Sequence, residues 1–176
     1  MRVETITGQQ VIEAERFTLR PVQSSDAGQI RMYAGDIRVS EFTSSIPHPL
    51  PRGATQSFIA RATDPERTED VWVMASKNDE VLGVISLKHM DRAQSEIGYW
   101  VAPAFWGAGY ASEAVRVLLE ANPQNCNTIF AEVFQDNPAS ARVLTNAGFE
   151  YLGDAEKFSV ARNANVATWT YLKKYA

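Results

Sequence analysis

Apolar and polar positions along the chain fall into two alternating periods. The segment 17–21, Phe17-Thr18-Leu19-Arg20-Pro21, alternates and ends a short strand. Pro21 and the Ser24-Ser25-Asp26 cluster then signal a helix start. Residues 27–33 read as a short helix, and Asp36 begins another. Pro47, Pro49, Pro51 and Gly53 punctuate a loop over residues 44–52. Residues 55–62 are helical, with Phe58, Ile59 and Ala62 on one side. Three strand patterns follow at 70–75, 81–88 and 96–101, separated by turns at 77–80 and 91–94 and ended by Pro103. They look antiparallel, and Gly83 within the second marks a close backbone approach. From Gly109 the period lengthens: Ala111, Val115, Leu118 and Leu119 recur at helical spacing until Asn122-Pro123. Residues 128–134 are a strand. Pro138 suits the first turn of a helix running to Ala147, with Gly148 as its C-terminal cap. Segments 149–152 and 167–172 close the chain as two more strands. The order predicts a mixed α/β fold in one domain over residues 1–176, with no internal repeat and no linker.

Composition narrows the partners. The 176 residues suit one domain, and 45% hydrophobic with 22% charged residues describe an ordinary globular chain. Net charge is -4 with no run of Lys and Arg, which argues against a nucleic acid partner. A single cysteine, Cys126, rules out an intrachain disulfide framework, and with only His48 and His89, far apart, no metal site is expected. Cys126 lies away from the motifs described next and reads as a small, partly buried residue; no Ser-His-Asp constellation is visible. The start MRVETITGQQVIEAER has no apolar core of a secretory leader, and no apolar run approaches the ~20 residues of a membrane span. The expectation is a cytoplasmic protein with no membrane partner.

The candidate chemistry begins at AFWGAGYASEA, residues 104–114, between a strand pattern and a helix pattern. A helix start leaves about four N–H groups unpaired and carries partial positive charge, and glycines let the backbone approach a bulky anion. Such a turn is a phosphate site, or else simply a tight strand-to-helix connection. A nucleotide P-loop needs Gly-Lys-Ser/Thr, which is absent. Gly107-Ala108-Gly109-Tyr110-Ala111-Ser112 approaches the dinucleotide pattern, but Ser112 occupies its third small position. Glu132, the acidic residue that follows, sits inside the next strand, and the loop comes after a meander instead of opening a parallel sheet.

A second block, Asn137-Pro-Ala-Ser140-Ala-Arg142-Val-Leu-Thr-Asn146-Ala-Gly148-Phe149, follows about thirty residues later. Glu96-Ile-Gly-Tyr-Trp100-Val101 with Trp106-Gly-Ala-Gly-Tyr-Ala-Ser-Glu-Ala114 resembles the acetyl-CoA motif of the GNAT N-acetyltransferases, and the Asn137 block resembles the motif that follows it. Residues 12–21 and Ile46-Pro-His-Pro49 are similar to the branch that acetylates ribosomal-protein N-termini, the RimJ/RimL type. The resemblance runs from Val11 to Tyr171. Two departures stand out: Trp106 replaces a polar first residue of the glycine motif, and Asn146 stands where a Lys often precedes Gly-Phe.

The resemblance implies a GNAT fold, a mostly antiparallel sheet of six to seven strands flanked by helices. It also implies direct acetyl transfer from acetyl-CoA to an amine, with CoA as product. Backbone groups of Trp100 and Val101 would pair with the pantetheine arm. Backbone N–H groups of Ala108, Gly109, Tyr110, Ala111 and Ser112 would hold the pyrophosphate, and Trp106, Gly107, Asn137 and Arg142 would add cofactor contacts. Glu96 matches the position of a general base, and Ser140 that of a hydroxyl near the leaving sulfur. Glu41, Phe42 and Thr43 are acceptor candidates, while Trp72, Trp100 and Trp169 read as core. The resemblance favours a peptide N-terminal α-amine as the acceptor; a small amine and a non-catalytic acyl-CoA-binding module are the alternatives. A homodimer is the expected assembly.

Overall fold

A computed structural model describes residues 8–175; residues 1–7 of the segment read for a leader, and residue 176, lie outside the described residues. The strands are β1 (Ile12–Glu13), β2 (Thr18–Pro21), β3 (Glu69–Ala75), β4 (Val81–Met90), β5 (Gln94–Val101), β6 (Thr128–Phe134), β7 (Glu150–Ser159) and β8 (Ala164–Lys174). They form one sheet in the order β1-β2-β3-β4-β5-β6-β8-β7. Every neighbouring pair is antiparallel except β5 and β6. The helices are α1 (Ala27–Ala34), α2 (Ile37–Ser40), α3 (Ala54–Ala62), α4 (Tyr110–Ala121) and α5 (Pro138–Asn146).

Strand alternation sorts the core into two layers. Trp72, Met74, Ile85, Leu87, Ile97 and Val101 face α4 and α5, meeting Val115, Leu118 and Leu144. Val71, Val73, Val84 and, partly buried, Trp100 face α1 and α3, meeting Ile30, Ile59 and Ala62. β4 is covered on both sides, which is why its Val81–Leu87 stretch is apolar almost without interruption. Gly83 lies where β5 presses closest: a Cβ there would stand 2.4 Å from the Trp100 carbonyl oxygen. The close approach expected from the sequence is therefore present.

The sheet has eight strands instead of six to seven, because Ile12–Glu13 adds a short edge strand. The last two strands are also much longer than 149–152 and 167–172. β7 is a sheet edge, mostly exposed, and carries Asp154, Glu156 and Lys157. With neither face fully buried it has no apolar alternation by which its length could be read. Among the described residues no helix is long and apolar enough to cross a membrane.

Candidate active site

Gly107 and Gly109 both adopt positive φ, 78° and 81°, and Gly109 is the N-cap of α4. That backbone is strained for any residue with a Cβ. The first N–H of the helix with an internal acceptor is that of Glu113, bonded to Gly109 O at 3.1 Å. The N–H groups of residues 107–112 have no acceptor among the described residues, and they gather at the positive end of a twelve-residue helix. A side chain braces this loop from 92 residues away. Arg16 Nη1 donates to Ala108 O at 2.7 Å, its Nε donates to Glu113 Oε1 at 2.7 Å, and its guanidinium lies over the Tyr110 ring. Glu113 is 6% exposed, and the bonds from Arg16 hold its carboxyl below the usual carboxylate range against the opposing effect of burial. Neither Arg16 nor Glu113 is among the site residues expected from residue order.

Just before the loop the sheet opens. β5 and β6 share only the rungs Gln94↔Thr128, Ser95↔Ile129 and Glu96↔Phe130. Beyond them residues 97–101 and 131–134 part, and a cleft of about 710 Å³ fills the gap and continues to the glycine loop. The indole Nε1 of Trp106 donates to Val101 O at 2.7 Å and so latches the end of β5.

On the α4/α5 side of the cleft stand Tyr99, Asn137 and Ser140. Asn137 caps α5, its Oδ1 accepting weakly from Ser140 N at 3.4 Å, and its Nδ2 has no acceptor among the described residues. The Ser140 hydroxyl lies 2.8 Å from the Tyr99 hydroxyl. Burial pushes the Tyr99 phenol up to about 12, so it stays protonated at neutral pH. This tyrosine comes from β5 and not from helix α5.

The opposite wall carries acidic groups. Opposed residues of paired strands share a face, and the row Glu69↔Lys88↔Glu96↔Phe130 puts Glu69 and Glu96 on the α1–α3 side. Glu96 is 37% exposed, with its Oε1 3.8 Å from Lys157 Nζ. Burial raises the Glu69 carboxyl, which accepts a long bond of 3.4 Å from Ser86 Oγ. Glu132 lies on the same face of β6 and also lines the cleft. Phe42 and Thr43 line this wall, together with Ile46, Leu50 and Phe58. Glu41 does not: its carbonyl is bonded by Arg162 Nε at 2.7 Å, on the far side of the segment. Arg162, at the β7–β8 tip, also pairs with Asp136 at 2.6 Å and lies over the Phe42 and Phe134 rings. Trp100, read as core, is partly buried and forms cleft wall as well.

Arg142 is exposed on α5 and lines neither the cleft nor the cavity beside it, because the α5 face toward the site carries Ser140 and Val143. That second cavity, about 610 Å³, adjoins the glycine loop at Gly109 and Ser112 and is lined by Arg16, Arg116, Asn146 and Lys173. Lys173 Nζ lies 2.8 Å from where a Cβ on Gly148 would be. The cation missing at Asn146 is thus supplied beside the same turn by β8. Cys126 is buried and free, outside both cavities.

A helix N-terminus with free N–H groups, reached through a gap between two parallel strands, is where comparison with known proteins becomes decisive. The model of the acetyltransferase (GNAT) domain matches residues 16–150. The chain belongs to the GNAT acetyltransferase family. It is similar to an uncharacterized N-acetyltransferase, p20, of Bacillus licheniformis, 25% identical over 169 residues, 92% of this chain and 94% of that one. Its fold matches a Microcin C7 self immunity acetyltransferase, MccE, solved with acetyl-CoA and AMP: TM-score 0.80, 18% identity, 92% and 93% of the two chains. It also matches RimL, a ribosomal L7/L12 alpha-N-protein acetyltransferase solved with CoA: TM-score 0.79, 16% identity, 94% and 98% covered. The GNAT domain is an acetyl-CoA-dependent acyltransferase, and the loop here fits such a donor: its unpaired N–H groups and adjoining cations suit the phosphates of CoA.

Proposed function

We propose that this enzyme acetylates the primary amine of a peptide N-terminus. The observation that carries the transfer itself is the parting of β5 and β6 beside the N–H cradle of residues 107–112. Acetyl-CoA supplies the acetyl group as a thioester. The N–H groups of Gly107 to Ser112, with the Ser112 hydroxyl, hold the pyrophosphate, and Arg16, Arg116 and Lys173 surround it with positive charge. The free edge of β5 at Trp100 and Val101, and the Asn137 Nδ2, hold the pantetheine arm. Holding both reactants in one cleft supplies several kcal/mol of the barrier reduction.

Glu96 takes the proton from the amine, directly or through one water. An α-amine titrates near 8 and a lysine amine near 10.4, so an α-amine asks less of this base. Ser140 donates a hydrogen bond toward the sulfur as it leaves. Tyr99 brings one phenolic proton to this corner, 2.8 Å from the Ser140 hydroxyl and 3.2 Å from the Ser140 carbonyl; given to the hydroxyl, it leaves the serine proton free for the cleft. The peptide acceptor is supported by the likeness to RimL and by a local likeness, 32% identical over 95 residues, to the ribosomal-protein-serine acetyltransferase of Escherichia coli.

The test is an acetyl-CoA assay with an N-terminal seryl hexapeptide and with spermidine, using wild type and Glu96→Gln. The expected outcome is preference for the hexapeptide, with kcat lowered about a hundredfold or more in the variant, the range of a lost general base. Acetyl-CoA binding without turnover of either amine overturns this reading; turnover of spermidine alone overturns the peptide acceptor.

A further inference from the structure

Two polar atoms in the cleft wall formed by β6 and β8 have no partner in the protein. Glu132 Oε2 and Thr168 Oγ1 are both buried without a hydrogen bond among the described residues. Thr168 is 0% exposed, and both residues line the cleft. In the β6–β8 ladder Glu132 opposes Thr170 and Thr168 opposes Phe134, which makes Glu132 and Thr168 diagonal neighbours on one face. This is the face of Glu69 and Glu96. Glu132 also sits two residues past the last β5–β6 rung, Glu96↔Phe130, where no β5 residue stands opposite it.

The other carboxylates of the wall are provided for. Glu96 lies near Lys157, and Glu69 accepts from Ser86. Two of the three cleft cations are committed elsewhere: Arg38 is bonded to Asp36 and Lys157 lies against Glu96, while Arg61 is exposed with no ion pair among the described residues. A buried polar atom left unpaired destabilises the fold, and more so if it is charged. A group that supplies positive charge and several N–H donors at the parting of the strands would relieve both atoms. A primary ammonium has one charge and three donors.

We infer that Glu132 and Thr168 form the docking site for the protonated primary amine of the acceptor. Glu132 is the countercharge, and the Thr168 hydroxyl is the second acceptor. The inference rests on the amine-acetylation reading above and sharpens it: the substrate must carry a cationic primary amine, and the docked proton leaves by way of Glu96. A neutral hydroxyl in the same place brings no charge and one donor instead of three, so the wall discriminates against acceptors ending in alcohols.

The test uses the whole chain as wild type, Glu132→Gln and Thr168→Val. The seryl hexapeptide, spermidine, and a hexapeptide whose α-amine is replaced by hydroxyl are titrated calorimetrically into the CoA-bound protein, and the two amines are also assayed with acetyl-CoA. For the amine that wild type acetylates, E132Q is expected to weaken binding and raise KM about tenfold or more, the loss of a charge-assisted hydrogen bond. T168V should cost about fivefold, the scale of one neutral bond. The KM for acetyl-CoA should stay within about twofold in both, because neither residue touches the phosphate loop. Wild type should bind the hydroxyl peptide no better than E132Q binds the amine. If amine binding and KM are unchanged in both variants while wild type acetylates, the docking site is overturned and the proposed function stands. If wild type binds acetyl-CoA and neither binds nor acetylates either amine, both fail together. Should E132Q not fold, T168V alone decides: unchanged amine binding overturns the site and weakened binding upholds it.

Discussion

The two walls of the cleft are made of different material. The α4/α5 wall works through main-chain groups: the N–H cradle of residues 107–112 and the free edge of β5. Two of its side chains, Arg16 and Trp106, act on that backbone by binding Ala108 O and Val101 O, and Tyr99, Asn137 and Ser140 are the few that it turns to the cleft. The α1–α3 wall works through side chains: Glu69, Glu96, Glu132 and Thr168 on the sheet, under Phe42, Thr43 and Leu50. A backbone site demands particular conformations, so it fixes glycines at fixed spacing. A side-chain site demands only a shared face, which many sequences satisfy. On the proposed assignment, the wall for a constant donor is built to one pattern, and the wall for a variable acceptor is free to change.

The sharpest way to break this contrast is to put a side chain into the backbone wall. Gly109→Val forces a β-branched residue to φ 81° and is expected to weaken acetyl-CoA binding about ten- to a hundredfold, from the strain of that conformation. Calorimetry with acetyl-CoA checks it, and unchanged amine affinity in the same protein confirms that the walls are separate. Ser140→Ala should lower kcat about tenfold with both KM values steady, the loss of one hydrogen bond to a developing thiolate. Tyr99→Phe should lower kcat about threefold, and the double variant should be no slower than S140A, since the pair acts as a unit. Arg16→Ala should raise the acetyl-CoA KM about fivefold by loosening the loop, with little change in the amine KM. Arg162→Ala should do the reverse, raising the amine KM about threefold, because it frees the segment holding Phe42. A variant of either wall that shifted both KM values alike would dissolve the distinction.

The smallest effect is in alkali. Tyr99 keeps its proton to about 12 in the fold, whereas an unfolded tyrosine loses it near 10. Between those values the unfolded chain binds fewer protons, so stability falls as pH rises from 10 toward 12. Tyr99→Phe removes that contribution, and urea unfolding across this range should show a shallower decline. Tyr175, also raised to about 12, retains its share.

The same contrast explains what could be read from residue order. The cradle was legible because Gly107, Gly109 and Ser112 must be close in sequence to build one turn. Asn137 and Ser140 were legible because a cap and the first turn of a helix are local. The contacts that complete the site join distant positions. Arg16 meets Glu113 across 97 residues, and Tyr99 meets Ser140 across 41. Glu132 was visible only as a carboxylate in a strand, since nothing local tells which face it takes or that β5 has left its side. Arg142 was carried along by its motif neighbours although it faces solvent, and Glu41 by adjacency to Phe42 although only its carbonyl is engaged. The β7 strand escaped for want of a buried face to write a pattern.

The three parallel rungs of β5 and β6 have a mechanical meaning. They join a plate of five strands to a plate of three, between a pair with eight rungs on one side and a pair with seven on the other. Of the three central ladders it has the fewest rungs, so in a sheet stressed across its strands the two plates change their mutual angle there at the expense of the fewest bonds. The width of the mouth is accordingly the softest dimension of the central sheet, while the height of each jaw is as stiff as the ladders behind it.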